Sequence, residues 1–148
     1  MTLLSGSALT VLFASCASTE QYQSSLAVPD TSSIAGVKPS IGKVKICVLR
    51  RSSILGAGIA IKITDSGRLV GRIGSGSKLI WEREPGQVVI GASASNESNI
   101  SVTTKPGEVY FLEARTNWGA GFNTAACEIR LLSRAEGASI LNGLNQNR

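Results

Sequence analysis

The sequence predicts an all-β fold: an antiparallel β-sandwich of about seven or eight short strands with a short C-terminal helix. From Lys43 onward, apolar and polar residues alternate with a period of two, as they do in strands that bury one face. Turn residues, chiefly Gly and Pro, separate these runs at near-regular spacing, which is typical of sandwiches and barrels. The chain length of 148 residues fits one such domain.

The strand-like runs, in chain order, are KVKICVLR, GIAIKIT, LVGRI, KLIWERE, QVVIGASAS, ISVTT, EVYFLEAR and EIRLL. In the first run, Val44, Ile46 and Val48 share one face of the strand. Turns are predicted at DSGR, where Gly67 permits a positive φ, and at GSGS. Pro-Gly pairs precede the fifth and seventh runs.

A short helix is predicted after the last strand. Ser133 and Glu136 have the spacing of a capping box, in which hydroxyl and carboxylate satisfy backbone N–H groups at a helix start. Gly137 and Gly143 weaken the expected helix. Its apolar stripe would comprise Ala138, Ile140, Leu141 and Leu144.

The opening stretch, LTVLFASCASTEQYQSS, predicts where the protein resides. Met1 to Thr19 carry no charged residue, and the apolar run is shorter than a membrane span. Leu12 to Cys16 (LFASC) resembles the lipobox of bacterial lipoproteins, which implies cleavage before Cys16 and acylation of its thiol. Ala17 then implies the outer membrane, facing the periplasm. The alternative is a buried N-terminal segment with an incidental cysteine.

Three segments follow from this interpretation. Residues 1–15 form the signal peptide, residues 16–41 form a disordered lipidated tether rich in Ser, Thr, Gln, Pro and Gly, and residues 42–148 form the β-sandwich domain. An N-terminal strand packed on the sheet is the alternative for the tether, because Leu26 and Val28 are apolar.

The domain itself resembles a family of small bacterial lipoproteins catalogued as domain of unknown function 2846. The matching features are an arginine followed by Ser52-Ser53 after the first strand, Gly56, the two Pro-Gly pairs and Glu136-Gly137. Together they cover roughly residues 43 to 140. The resemblance implies a β-rich fold in the cell envelope and carries no known chemistry.

Composition argues against catalysis. The chain has no histidine, which removes the commonest general base near neutral pH and the usual Ser-His and Cys-His pairs. We therefore expect no enzyme activity, no metal and no cofactor. The net charge of +5 comes from scattered basic residues without interleaved aromatic residues, so no nucleic-acid partner is expected.

Two sets of residues stand out as candidate sites. Trp118 and Phe122, with Arg115 nearby, lie in a predicted glycine-containing loop, where exposed aromatics can bind a partner. The alternative is that both rings plug the end of the sandwich. Cys47 and Cys127 form either a disulfide, as an even pair in an oxidising compartment, or two buried free thiols.

The functional expectation is a lipid-anchored, non-catalytic module of the cell envelope with an interaction or structural role. Its partners would be the membrane, through Cys16, and an unidentified envelope protein. The alternative is a module that binds peptidoglycan or another envelope glycan.

Overall fold

The computed structural model describes residues 37–118 and 125–146. These residues form eight strands and one helix. The elements are β1 (Val44–Leu49), β2 (Ile61–Asp65), β3 (Arg68–Ile73), β4 (Lys78–Arg83), β5 (Gly86–Ser93), β6 (Glu97–Thr104), β7 (Val109–Trp118), β8 (Ala125–Leu132) and α1 (Arg134–Gln146).

The strands form two four-stranded sheets, which confirms the predicted sandwich with a C-terminal helix. The first sheet has the order β4-β1-β7-β8, and the second has the order β3-β2-β5-β6. The predicted DSGR turn joins β2 to β3, with Ser66 and Gly67 both at positive φ. Two such residues define the hairpin turn whose twist matches that of the flanking strands.

One strand pair departs from the antiparallel arrangement that the sequence predicts. β1 and β7 run parallel, with Lys45 opposite Val109 and Leu49 opposite Glu113. The other pairings are antiparallel. The parallel pair places β7, from late in the chain, in the middle of the first sheet beside β1. Alternation of apolar residues reports which face is buried but not which way a neighbouring strand runs.

The main core lies between the two sheets. Val44, Ile46 and Val48 of β1 point into it, as their alternation predicts. Facing them are the buried side chains of the second sheet, chiefly Ile61, Ile63, Ile73, Val88 and Ile90. Trp81 packs at the margin of this core, and its indole N–H donates to Asp65 at 2.9 Å.

The helix α1 covers part of the outer face of the first sheet. Its predicted capping box is present: the backbone N–H of Ser133 donates to the Glu136 carboxylate at 3.0 Å, and the Ser133 hydroxyl accepts from the Glu136 N–H at 3.3 Å. A second, smaller core lies beneath the helix. It consists of Val37, Cys47, Leu49, Phe111, Leu132, Ile140 and Leu141.

The part of the predicted tether that the structure describes is packed on the domain. Val37 is buried in the core beneath the helix, and Ser40 donates two hydrogen bonds to Glu82, at 3.1 and 2.8 Å. The folded body therefore includes residues 37–41, ahead of the predicted boundary at residue 42. In the described ranges, no helix has the length and apolar character needed to span a bilayer.

Of the two alternatives for Cys47 and Cys127, the structure has the free thiols. Cys127 lies in the core between the sheets, whereas Cys47 lies in the core beneath α1. The two side chains thus point to opposite faces of the first sheet, so no disulfide can join them without moving a strand. Burial raises the pKa of the Cys47 thiol to about 12.

Candidate functional site: an arginine-lined cleft

A polar cleft of about 470 Å³ opens on the outer face of the first sheet, beside the area that α1 covers. The residues of β7 alternate here: Leu112 and Ala114 face the inter-sheet core, and Glu113 and Arg115 face outward. The β1–β2 loop, which follows Leu49, forms the opposite wall. The lining residues are Arg50, Arg51, Ser52, Ser53, Glu113, Ala114, Arg115, Thr116 and Arg130.

Glu113 organises the floor of the cleft. Its side chain is only 5% exposed, yet it binds two arginines. Arg51 donates from Nε to Oε1 at 2.9 Å, and Arg130 donates from Nε and Nη2 to Oε2 at 2.9 and 2.7 Å. These bonds raise the pKa of the Arg130 guanidinium. A buried carboxylate requires such partners, so Glu113 fixes both arginines in place.

A second ion pair continues the same face. Arg115 lies directly opposite Glu128 in the β7–β8 ladder, and its guanidinium contacts that carboxylate at 2.8 Å. Asn117 also donates to Glu128, at 2.9 Å. The bonds from Asn117 and Arg115 lower the pKa of Glu128, so this carboxylate stays ionised at neutral pH and holds Arg115 along the cleft wall.

Arg50 has a structural role at the back of the cleft. It is 2% exposed, and its guanidinium donates to the backbone carbonyls of Gly56, Ile59 and Ile73. Burial lowers the pKa of Arg50. These bonds tie both legs of the β1–β2 loop to the end of β3, which fixes the wall that carries Arg51, Ser52 and Ser53.

The lining residues include four arginines and one glutamate, and Glu128 pairs with Arg115 beside them, so the net charge of the cleft is positive. Each guanidinium has five N–H donors. Within residues 37–118 and 125–146, Arg51 uses Nε alone on Glu113, so its Nη groups remain available. A rigid fork of donors is the geometry that binds carboxylate or phosphate oxygens. The cleft therefore presents N–H donors whose geometry suits the oxygens of an anionic group.

The structure places one of the three predicted interaction residues in the cleft. Arg115 lies on β7 and not in a loop, so the predicted loop begins too early in the sequence. Trp118 ends β7, with its backbone opposite Ala125; its side chain lies outside the described part, as do Phe122 and Cys16. The cleft thus depends on Arg115 together with residues that sequence analysis did not select.

Sequence reasoning missed Glu113, Arg51 and Arg130. A glutamate within the apolar run EVYFLEAR is the signal that was available, since a strand buried on both faces holds a carboxylate only beside cations. Its partners come from positions 62 and 17 residues away, and their proximity depends on the sheet order. The Ser52-Ser53 motif marks one wall of the same cleft.

The described residues form no group of three or more His, Cys, Asp or Glu side chains placed to hold a metal ion. The protein is thus a two-sheet β-sandwich with a basic cleft on its surface that is lined by four arginines. In comparisons with known proteins, no family model and no curated protein matches this chain.

Proposed function

We propose that this protein is a non-catalytic binding module of the bacterial cell envelope, anchored by lipid at Cys16, whose cleft binds an anionic group of an envelope protein. The observation that carries the binding role is the arrangement around Glu113. One buried carboxylate holds two arginines in fixed positions, and Arg115 lies on the same strand face.

Preorganisation is the physical basis of the proposed affinity. Ordering a long cationic side chain costs conformational entropy, but Glu113 and Glu128 already hold Arg51, Arg130 and Arg115 in the unliganded protein. The cleft wall also supplies the hydroxyl of Ser52, whereas the hydroxyl of Ser53 donates to the Leu55 carbonyl at 3.1 Å. A carboxylate or phosphate group entering the cleft would meet donors that are already aligned.

The composition supports binding over catalysis. Glu113 is the carboxylate that lines the cleft, and it is occupied by two guanidinium groups. Because both oxygens of Glu113 already accept hydrogen bonds from guanidinium groups, and because the chain contains no histidine, the cleft offers no evident general base. Binding of an anion without its conversion fits these residues better.

The anchor rests on the opening stretch of the sequence. The apolar run, the small residues Ala14 and Ser15, and Cys16 before a polar segment are the features that support it. Several acyl chains on Cys16 would hold the domain durably at a membrane, whereas one chain alone binds marginally. Mass spectrometry of the protein purified from native membranes should find an acylated Cys16 at the N-terminus; an unmodified chain that begins with Met1 would contradict it.

Site-specific photo-crosslinking in cells tests the binding role. A photoreactive residue at Ser52, on the cleft wall, should give a discrete adduct with an envelope protein. The matched control is Ser101, which is exposed on β6 of the second sheet. Arg115→Gln should reduce the adduct several-fold, whereas Lys105→Gln, which removes an exposed cation elsewhere, should not.

Three outcomes are distinguishable. An adduct from Ser52 that depends on Arg115 supports the proposal, whereas equal adducts from Ser52 and Ser101 contradict it. Co-sedimentation with purified sacculi that is lost in Arg115→Gln would instead assign the cleft to an anionic glycan or its peptide.

A further inference from the structure

The β1–β2 loop presents two large aliphatic side chains to water. Ile54 is 96% exposed and Leu55 is 65% exposed, and the two are adjacent in the chain. Single exposed apolar residues are ordinary on protein surfaces. An adjacent pair at the tip of a loop needs a further account, because Ile54 is almost fully exposed to water and most of Leu55 is exposed as well.

The loop that carries this pair is fixed in position. Arg50 binds three backbone carbonyls within and beside it. Ser53 and Ser75 exchange hydrogen bonds: the Ser53 N–H donates to the Ser75 hydroxyl at 2.8 Å, and that hydroxyl donates to the Ser53 carbonyl at 2.9 Å. These bonds hold the backbone of the loop on either side of Ile54 and Leu55.

A like-charge pair lies at the same end of the sandwich. Lys62 and Arg72 are directly opposite each other on β2 and β3, and both are exposed. Neither has a carboxylate within salt-bridge distance in the described ranges. Like charges directly opposite each other destabilise a sheet. Glu97 lies in the same row, two strands from Lys62 across Ser93, or roughly 10 Å away.

The loop and the charge pair are connected through Arg50. It binds the carbonyl of Ile59, close to the start of β2, and the carbonyl of Ile73, which ends β3. Lys62 and Arg72 are each one residue from those strand ends, at Ile61 and Ile73. Arg51 lies on the other side of the loop, over the first sheet. Cations thus flank the apolar tip on both sides.

We propose that this end of the sandwich docks on an anionic lipid bilayer, with Ile54 and Leu55 entering the boundary between headgroups and acyl chains. Lys62 and Arg72 then lie over anionic headgroups, which removes the cost of their mutual repulsion. An apolar tip flanked by cations is complementary to an anionic bilayer, because the tip can enter the acyl-chain boundary while the cations contact the anionic headgroups. The proposal does not depend on the cleft or on acylation of Cys16.

The chain length before the domain is compatible with this orientation. Twenty residues separate Cys16 from Val37, and at ~3.4 Å per residue they can span at most about 70 Å. The longest strand of the sandwich has ten residues, or roughly 34 Å. A lipid on Cys16 would therefore leave the loop end free to reach the same bilayer.

The experiment uses the full chain with Cys16→Ser, which prevents acylation. An environment-sensitive dye is attached at Leu55→Cys, and the control dye is attached at Leu69→Cys, an exposed leucine near the opposite end. The native Cys47 and Cys127 are buried. Vesicles of phosphatidylcholine with phosphatidylglycerol should shift the emission of the dye at position 55 to the blue, and pure phosphatidylcholine should shift it less.

Unlabelled variants supply the second measurement. Ile54→Ser with Leu55→Ser, and separately Lys62→Gln with Arg72→Gln, should each lower the vesicle partition coefficient about tenfold while the melting temperature is kept or raised. Leu69→Ser should leave the partition coefficient unchanged. Equal shifts at positions 55 and 69, or unchanged partitioning of the Ile54/Leu55 variant, would overturn the proposal and leave the pair to a protein contact.

Discussion

Gly137 shows how a single residue fits the helix to the sheet. It is buried in α1, and a Cβ at this position would lie 2.1 Å from Cγ of Phe111. Sequence analysis counted Gly137 as a weakness of the helix, because glycine has poor helix propensity. The structure shows why a glycine stands here: it lets the helix approach the aromatic ring closely.

Gly137→Ala should therefore destabilise the protein even though alanine favours helices. We expect a loss of about 1–3 kcal/mol in the free energy of unfolding, which is the typical cost of overpacking. Gly143→Ala on the same helix is the matched control, since nothing lies within 4 Å of its added Cβ; it should gain up to about 1 kcal/mol. Urea titration measures both, and a stabilised Gly137→Ala would show that helix and sheet are less closely packed.

The two thiols provide a second test at the residue scale. Burial raises the pKa of Cys47 to about 12 and also raises the pKa of Cys127. Since the thiolate is the reactive form, neither should react with a disulfide reagent near pH 8 in the folded Cys16→Ser variant. Unfolding without reductant should release two thiols. Release of none would mean that the two cysteines are bonded.

At the scale of elements, β1 contributes side chains to both cores. Val44, Ile46 and Val48 pack between the sheets, while Cys47 and Leu49 pack beneath α1. A strand buried on both faces is usual for the centre of a sheet covered by a helix. Its parallel pairing with β7 places Glu113 beside the end of β1, which brings the cleft residues of the β1–β2 loop to that carboxylate.

The β1–β2 loop should lose its order when Arg50 is shortened. Arg50→Lys has fewer donors and lacks the planar fork, so it cannot satisfy the carbonyls of Gly56, Ile59 and Ile73 together. We expect amide exchange in residues 52–58 to accelerate at least tenfold, with a loss of about 1–3 kcal/mol in stability. Arg51→Lys, whose side chain is 58% exposed, is the control and should change loop exchange little. Equal effects of the two substitutions would contradict the structural role of Arg50.

At the scale of the whole molecule, ionised carboxylates connect its parts. The pKa of Glu82 is lowered by hydrogen bonds from Ser40 and Lys45, and that of Glu136 by hydrogen bonds from Ser133. The pKa of Glu128 is lowered in the same way by Asn117 and Arg115. Glu82 connects the N-terminal segment to β4. Glu136 connects the first turn of α1 to Ser133, and Glu128 connects β8 to β7.

Stability should therefore fall in acid. Each of these carboxylates has a pKa below its ordinary value of 4.5 in the folded state, so its contribution is complete above that pH and is lost as the pH falls through the folded value. Urea midpoints should be nearly flat between about pH 6 and 8, since the chain has no histidine, and should drop below about pH 4.5. Combining Glu82→Gln, Glu128→Gln and Glu136→Gln should flatten that drop, and an unchanged acid slope would exclude these groups as its cause.

The sequence alone determined the β-sandwich, the DSGR hairpin and the capped C-terminal helix, because alternation, turn residues and the Ser133–Glu136 pair act over a few neighbouring residues. The tertiary structure decided the parallel β1–β7 pairing, the separation of Cys47 from Cys127 and the meeting of Arg51, Glu113 and Arg130. These depend on the order of strands in a sheet, which is set by packing between residues far apart in the chain. The hydrophobic periodicity of one segment shows which of its faces is buried but does not specify which strands are its neighbours.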